Sequence, residues 1–313
     1  MGRPLRYLPH PHTTFEVTTR TIHGRLFLKP SKRLNELLLW VIGRALSYYP
    51  SVALHLFVVV SNHMHLILTV PDSKTLSLFM GYINSNIARE AGRLHGWREK
   101  FWGRRYRAIP ILDEPALVER VRYLLSHGSK EGLVRRPEDW PGVHCIFALR
   151  DGIALSGTWI DRTKQYEAKR AGEESKPNQF AIRYKVQLTP LPCWTDLPER
   201  ERRRRIGEML LEIESDVCAN RKEKAKTEVL GKQKVLIQHP HTQPEQSKKS
   251  KAPLCHCSSI EKWMNYRNAY RFFVDVFRMA AKRLRRHRQL VPFPEHSFMP
   301  SMGYWATVGA MSG

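Results

Sequence analysis

Two apolar runs joined by a two-residue link constrain this chain more than any other feature. They are "VALHLFVVV" at 52–60 and "HMHLILTV" at 63–70, with Ser61-Asn62 between them. Both are rich in β-branched residues, and a two-residue link is the usual length of a tight hairpin connection. The first run is apolar on both faces, which predicts a central strand. The second carries His63 and His65 around Met64. Side chains at i and i+2 leave a strand on the same side, so the two imidazoles project together. Two readings of that pair stand side by side. One is a pair of ordinary sheet histidines hydrogen-bonded to their neighbours. The other is a pair of ligands for a divalent ion such as Mn²⁺ or a borderline metal.

Elements on either side of the hairpin complete a small fold. Residues 13–22, "TTFEVTTRTI", read as a strand, and 31–48 as a helix with Ser31 as its N-cap. A second helix is expected over 75–95. "RYRAIPIL" at 105–112 reads as a fourth strand, placed at an edge by Pro110. A third helix runs from Asp113 to His127, with Pro115 in its first turn and Gly128 as the stop. The order β-α-β-β-α-β-α predicts an α+β fold, the ferredoxin-like split βαβ arrangement. In it a four-stranded antiparallel sheet carries two helices on one face and leaves the other face for a site.

The texture changes beyond about residue 155, so the chain divides into 1–150 and a basic, mainly helical extension over 151–313. "DRTKQYEAKRAGEESKPNQ" reads as a polar linker, "DLPERERRRRIGEMLLEIESDVCANRKEK" as a charged helix, and 238–253 as loop or disorder. A last helix over 258–288 opens with the capping box Ser258-x-x-Glu261. Its stripe of Trp263, Tyr270, Phe273, Phe277, Ala281 and Leu284 has helical spacing. Core packing explains that stripe most simply. Lys282, Arg283, Arg285, Arg286 and Arg288 at its end offer cations to a polyanion.

Charge selects the partner class. The chain of 313 residues holds 52 Lys+Arg against 29 Asp+Glu, a formal charge of +23 and a pI near 10.1. Such an excess points to nucleic acid. No stretch approaches the roughly 20 apolar residues of a membrane span, and the first residues lack the apolar run of a secretory signal. The expectation is a cytoplasmic, nucleoid-associated protein without a membrane partner. Five cysteines at irregular spacing argue against a disulfide framework. "CHC" at 255–257 has the look of a metal-site fragment but lacks a matching second pair.

The third helix bears on the histidine pair. "DEPALVERVRYLLSHG" buries Leu117, Val118, Val121, Leu124 and Leu125. Tyr123 and His127 lie one turn apart on another face, with Glu119 one turn further back. His127 has a simpler reading as a favourable charge at a helix C-terminus, and Tyr123 as a half-buried anchor. Together with His63 and His65 they also make a chemical set, with imidazoles for a metal that polarises a phosphate and a phenol that attacks it.

These residues carry a resemblance. "SNHMHLIL" is a His-hydrophobic-His (HUH) motif. "RYLLSHGSKEGLVRRPEDWPGVH" at 122–144 resembles the tyrosine-helix segment of single-tyrosine HUH transposases, in particular the REP-associated tyrosine transposases (the IS200-like domain). The matching pieces are Tyr123, Gly132-Leu133-Val134 and Glu138-Asp139-Trp140-Pro141. "FWGRRYRAIPI" and the opening "RPLRYLPHPHTTFEVTTRTIHGRLFL" also look like that family, so the likeness spans roughly 3–150. Two positions depart from it. His127 stands where relatives carry Asn or Gln, and Ser61 stands where they carry Pro. The long tail has no counterpart, and no activity passes to it.

The resemblance implies Tyr123 as nucleophile, forming a 5′-phosphotyrosine with single-stranded DNA. It implies His63, His65 and His127 as ligands of Mg²⁺ or Mn²⁺, and imperfect DNA hairpins at repeat palindromes or transposon ends as substrate. The protein would act as monomer or homodimer. For substrate grip, "GWREKFWGRRYR" alternates Arg98, Lys100, Arg104, Arg105 and Arg107 with Trp97, Phe101, Trp102 and Tyr106. Cations for phosphates and aromatic faces for bases make up a single-strand binder. The simpler reading is a solvated basic loop with core aromatics. Two other functions stay open. One is a domesticated hairpin-DNA-binding protein without mobility. The other is a basic RNA-binding protein with a ferredoxin-like sheet, although its central strands hold only Phe57 for stacking.

Overall fold

The computed structural model describes residues 5–173, 176, 178–223, 228–245, 252–287 and 291–300. A four-stranded antiparallel sheet is built from β1 (Thr13–Arg20), β2 (Ala53–Val60), β3 (His63–Val70) and β4 (Arg107–Pro110). The strand order is β2-β3-β1-β4, the order of a split βαβ fold. α1 (Lys32–Tyr48) connects β1 to β2, and α2 (Ser73–His95) connects β3 to β4. Ser31 caps α1 through the Leu34 N–H, as its sequence predicts, and Asp72 caps α2 through the Thr75 N–H. Phe15, Val17, Met64, Leu66 and Leu68 are fully or nearly fully buried in the core these helices close.

β2 is an edge strand of the sheet, contrary to the central place its apolar run predicts. The apolarity has a different cause. The free side of β2 is covered by later chain: Val59 N–H donates to the Val143 carbonyl at 2.9 Å, and Thr189 N–H to the Leu54 carbonyl at 2.8 Å. A covered edge is as dry as a paired one. β4 forms the opposite edge, as Pro110 predicts, and it is covered as well. His256 N–H donates to the Pro110 carbonyl at 2.8 Å, and Leu112 N–H to the His256 carbonyl at 2.9 Å.

α3 (Glu114–Leu125) follows β4, with Asp113 capping it through the Ala116 N–H and Ser126 closing it. It lies over the sheet face that Glu16, His63 and His65 share. Neither face of the sheet is therefore bare, which removes the open stacking platform that an RNA-binding sheet would need.

Beyond α4 (Ile146–Asp151), the stretch read as a polar linker, 161–179, holds a helix and is flanked by two strands. β5 (Leu155–Ile160) and β6 (Ala181–Val186) form a two-stranded antiparallel sheet, and α5 (Arg162–Arg170), capped by Asp161, lies between them. This pair packs on α1: Glu36 accepts from Thr158 N–H at 2.6 Å, and the Arg44 guanidinium stacks 3.7 Å from the Trp159 ring. Few apolar residues are needed because the strands approach at glycine. The charged helix is α6 (Glu199–Glu223), which buries Ile206, Met209, Leu210, Ile213 and Val217. One apolar cluster runs from the sheet through these α6 residues. α7 (Lys232–Ile237) seats Val235 beside Val60, Val134 and Trp140.

α8 (Ile260–His287) begins one residue later than its predicted cap. Lys262 N–H donates to Ser259 Oγ at 3.2 Å, whereas Ser258 turns its N–H and hydroxyl to Asp113 at 2.9 and 3.0 Å. Of the expected stripe, Phe273, Ala281 and Leu284 are buried, Tyr270 and Phe277 partly so, and Trp263 is exposed; Tyr266 and Ala280 complete the dry side. Tyr7 packs between Tyr266 and Phe273, with ring centroids 5.5 and 5.2 Å away. Lys282, Arg283, Arg285 and Arg286 are exposed. Arg288 and residues 246–251 of the expected loop lie outside the described residues. No helix among the described residues is long and apolar enough to cross a membrane.

The packing of β5 on α1 can be tested with one methyl group. A Cβ at Gly157 would stand 2.3 Å from the Trp40 nitrogen and 2.7 Å from the Glu36 carbonyl oxygen, both backbone atoms. Gly157→Ala is expected to lower stability by about 1–3 kcal/mol. Gly207→Ala, in the open interior of α6, is expected to raise it by roughly 0.5–1 kcal/mol through helix propensity. Calorimetric melting of both variants checks the pair of signs.

Candidate functional site

The site grows from the middle of β1 and β3. Thr18 stands opposite His65 and Arg20 opposite His63 across that pairing. Opposed residues share a face, so Glu16, Thr18 and Arg20 join the two imidazoles. From α3, Tyr123 and His127 come down over them. His127 lies just past the last helical turn, its N–H still bonded to the Leu124 carbonyl at 3.2 Å.

His63, His65 and His127 each offer one ring nitrogen such that these atoms lie within 4.8 Å of one another, and this is the one such His/Cys/Asp/Glu cluster among the described residues. Nitrogens on one ion at about 2.1 Å stand at most ~4.2 Å apart, so modest side-chain closure suffices. The hydrogen bonds fit a metal. His63 Nδ1 meets Asn62 Oδ1 at 2.7 Å. His65 Nδ1 meets Glu16 Oε1 and Thr18 Oγ1, each at 3.0 Å. His127 Nδ1 meets the Tyr123 and Leu124 carbonyls at 3.0 and 3.2 Å. Every Nδ1 thus faces an acceptor, which assigns its proton there and leaves each Nε2 lone pair for an ion. Burial, then the neighbouring imidazoles and cations, hold His63 and His127 well below the usual histidine range. Burial also lowers His65, against the pull of Glu16. All three are neutral near pH 7, the state a ligand requires.

Glu16 is the carboxylate of the site; Glu119 is exposed and takes no part. Arg120 binds both Glu16 oxygens, Nε to Oε2 at 2.6 Å and Nη2 to Oε1 at 3.2 Å. His256 Nε2 stands 3.0 Å from Oε2. Burial alone would raise this carboxyl. Its contacts with His256, His65 and Arg120 overcome that and hold it far below the ordinary carboxylate range.

Tyr123 is 39% exposed, at the mouth of the site. Its ring lies between two cations, with Lys130 Nζ 3.1 Å and the Arg120 guanidinium carbon 3.9 Å from the centroid. Burial raises the phenol against the influence of Arg120, so it stays protonated at neutral pH. Burial brings the Lys130 ammonium down to about 8, resisted by Glu131.

The motif residues after His127 brace the turn that carries it. Gly128 has φ +86°, and a Cβ there would stand 3.2 Å from the Trp140 ring. Trp140 is buried and donates from Nε1 to the Val59 carbonyl at 2.9 Å. Leu133 and Val134 both donate backbone N–H to the Gly128 carbonyl, and Leu230 N–H donates to the Gly132 carbonyl. From α6, Arg221 caps the Ser129 and Val134 carbonyls at 2.6 and 2.9 Å, and Arg122 is bound by Asp216 and Glu212. The extension therefore holds the tyrosine helix in place.

The basic segment sits one strand away. Trp102 bridges to Thr21, and Arg107 pairs in register with Thr18. Arg98, Lys100, Arg104, Arg105 and Arg107 are exposed. The aromatics turn inward: Phe101 is buried against Phe27, Trp97 packs on Phe27 at 4.9 Å, and Trp102 donates to the Asn84 carbonyl at 2.8 Å. Trp97 and Trp102 keep part of their surface in solvent.

Sequence reasoning missed Glu16, Arg120, Lys130 and His256. Glu16 left a signal as a lone carboxylate inside "TTFEVTTR", and His256 as the centre of "CHC", read there as a metal-site fragment. Among the described residues, the "CHC" fragment gathers no metal-ligating cluster, and its histidine stands against Glu16 instead.

No protein-family model and no curated protein matches this sequence. Among solved structures, the fold is similar to that of a REP-associated tyrosine transposase bound to a REP hairpin. The identity is 22%, over 45% of this chain and 81% of that one, with a TM-score of 0.39. A crystal structure of a candidate transposase from Deinococcus radiodurans R1 is similar at 15% identity, over 39% of this chain and 93% of that one, with a TM-score of 0.28.

Proposed function

We propose that the protein is a metal-dependent endonuclease and strand transferase of the single-tyrosine HUH type, acting on single-stranded DNA that carries a hairpin. One observation carries the reading: three neutral, Nδ1-anchored imidazoles converge beside a tyrosine held between two cations. The sequence resemblance over the HUH and tyrosine segments supports it, as does the basic segment beside the site.

Tyr123 Oη attacks the scissile phosphorus in line. The Oη–P bond forms, the P–O3′ bond breaks, the phenolic proton leaves to water and the 3′ oxygen takes one up. The products are a 5′-phosphotyrosine and a free 3′-OH, and the retained phosphoester lets the strand be rejoined without another energy source. His63, His65 and His127 would hold a divalent ion, Mg²⁺ or Mn²⁺, which would neutralise charge on the phosphate and orient it. Lys130 and Arg120 hold the ring and add positive charge where the phenolate develops. Arg98, Lys100, Arg104, Arg105 and Arg107 track the backbone of the strand, and the exposed edges of Trp97 and Trp102 border it.

Tyr123→Phe removes one oxygen and keeps the ring between its cations. It is expected to reduce cleavage by roughly a thousandfold or more and to leave hairpin binding unchanged. Denaturing gels of a hairpin oligonucleotide with single-stranded flanks show whether the covalent protein–DNA band disappears; a band at wild-type intensity assigns the chemistry to another residue.

Alanine at His63, His65 or His127 is expected to lower Mn²⁺-dependent cleavage on the order of 100-fold or more, and EDTA is expected to reproduce the loss in the wild type. Equal cleavage rates in EDTA and in Mn²⁺ would exclude the metal.

A further inference from the structure

The "CHC" strap of the extension brings His256 Nε2 to 3.0 Å from Glu16 Oε2. We infer that His256 is a positioning residue for the metal site: it fixes Glu16, and Glu16 in turn fixes the ring of His65. The inference rests on reading His63, His65 and His127 as metal ligands, and its test is arranged so that the two fail separately.

The geometry is a relay across two residues. Glu16 Oε1 faces His65 Nδ1 at 3.0 Å, and Glu16 Oε2 faces His256 Nε2 at 3.0 Å. Arg120 bridges both oxygens. A carboxylate between two imidazoles and a guanidinium cannot rotate without breaking one of them. His256 Nε2 is closed off from water and meets no partner with full hydrogen-bond geometry, so the carboxylate beside it is its available acceptor. A carboxylate behind a ligating histidine sets the tautomer and aim of that ring, and losing such a partner commonly costs 10–100-fold in metal affinity.

The strap that delivers His256 is tied on both sides. Its backbone adds to the β4 edge through Pro110 and Leu112. Two residues on, Ser258 binds Asp113, the residue that caps the tyrosine-bearing α3. Lys262, in the first turn of α8, reaches the same Asp113 oxygen at 3.3 Å. Cys255 and Cys257 flank His256 as free thiols, Cys255 buried and Cys257 partly so. The extension therefore contributes a side chain to the support of the site as well as packing around it.

The test uses the full chain with Co²⁺ as probe, read by visible ligand-field absorption and by titration calorimetry, together with ¹⁵N-resolved spectra of the histidine rings. His256→Leu is expected to weaken Co²⁺ binding about 10-fold or more, to alter the ligand-field bands and to shift the His65 ring nitrogens. His256→Gln, which keeps an N–H donor for Glu16, is expected to recover most of the affinity and the wild-type ring signals. Should the leucine variant fail to fold, His256→Asn takes its place, since its shorter amide falls short of the carboxylate. Equal Co²⁺ affinity and unchanged His65 signals across the variants would overturn the role of His256. If the wild type takes up no Co²⁺, the metal reading falls; the His65 signals still decide whether His256 governs that ring.

Discussion

A carboxylate shut away from water must be met by donors, and Glu16 in the middle of β1 sets that demand for this structure. An unpaired ion so buried would be costly. Three groups from three places meet it: His65 of the neighbouring strand and Arg120 of α3 bond to it, and His256 of the extension stands with Nε2 3.0 Å from Oε2. Each also has a second task. His65 is one of the clustered imidazoles, Arg120 lies against Tyr123, and His256 anchors the strap on the β4 edge. One ionised group thus ties the sheet, the tyrosine helix and the extension to a common geometry.

The extension follows the same logic on a larger scale. The apolar side chains of α6 continue the core of the sheet, and Val235 of α7 joins a smaller cluster with Val60, Val134 and Trp140. The extension's charged side chains grip the segment that carries Tyr123 and His127: Arg221 closes the turn after His127, and Asp216 holds Arg122 one residue before Tyr123. Rigid support of this kind would keep the proposed nucleophile Tyr123 and its neighbours aligned before substrate arrives, which is where much of the advantage of a preorganised site lies.

Much of this was legible in the sequence because it was written locally. The hairpin at 52–70, the Ser31 cap, the edge role of Pro110 and the facing of His63 with His65 all follow from periodicity and turn chemistry within a few residues. The reading failed where distant chain decides. β2 looked central because residues 143 and 189 dry its outer edge. The supposed linker carries α5 between β5 and β6, and Gly157 lets β5 lie against the α1 backbone, a contact that no apolar run announces. Ser258 gave up its expected cap for Asp113, more than a hundred residues earlier in the chain. The partners of Glu16 are spread over three segments, so spacing alone could not assemble them.

The central claim is that Glu16 and its donors hold His63, His65 and His127 ready for one divalent ion beside Tyr123. Anomalous diffraction from crystals of the full chain grown with Mn²⁺ tests this most directly. The account predicts a single strong peak bonded to one ring nitrogen of each of these three histidines, with Glu16 still on His65. A peak elsewhere, or none at these rings under saturating Mn²⁺, would contradict it.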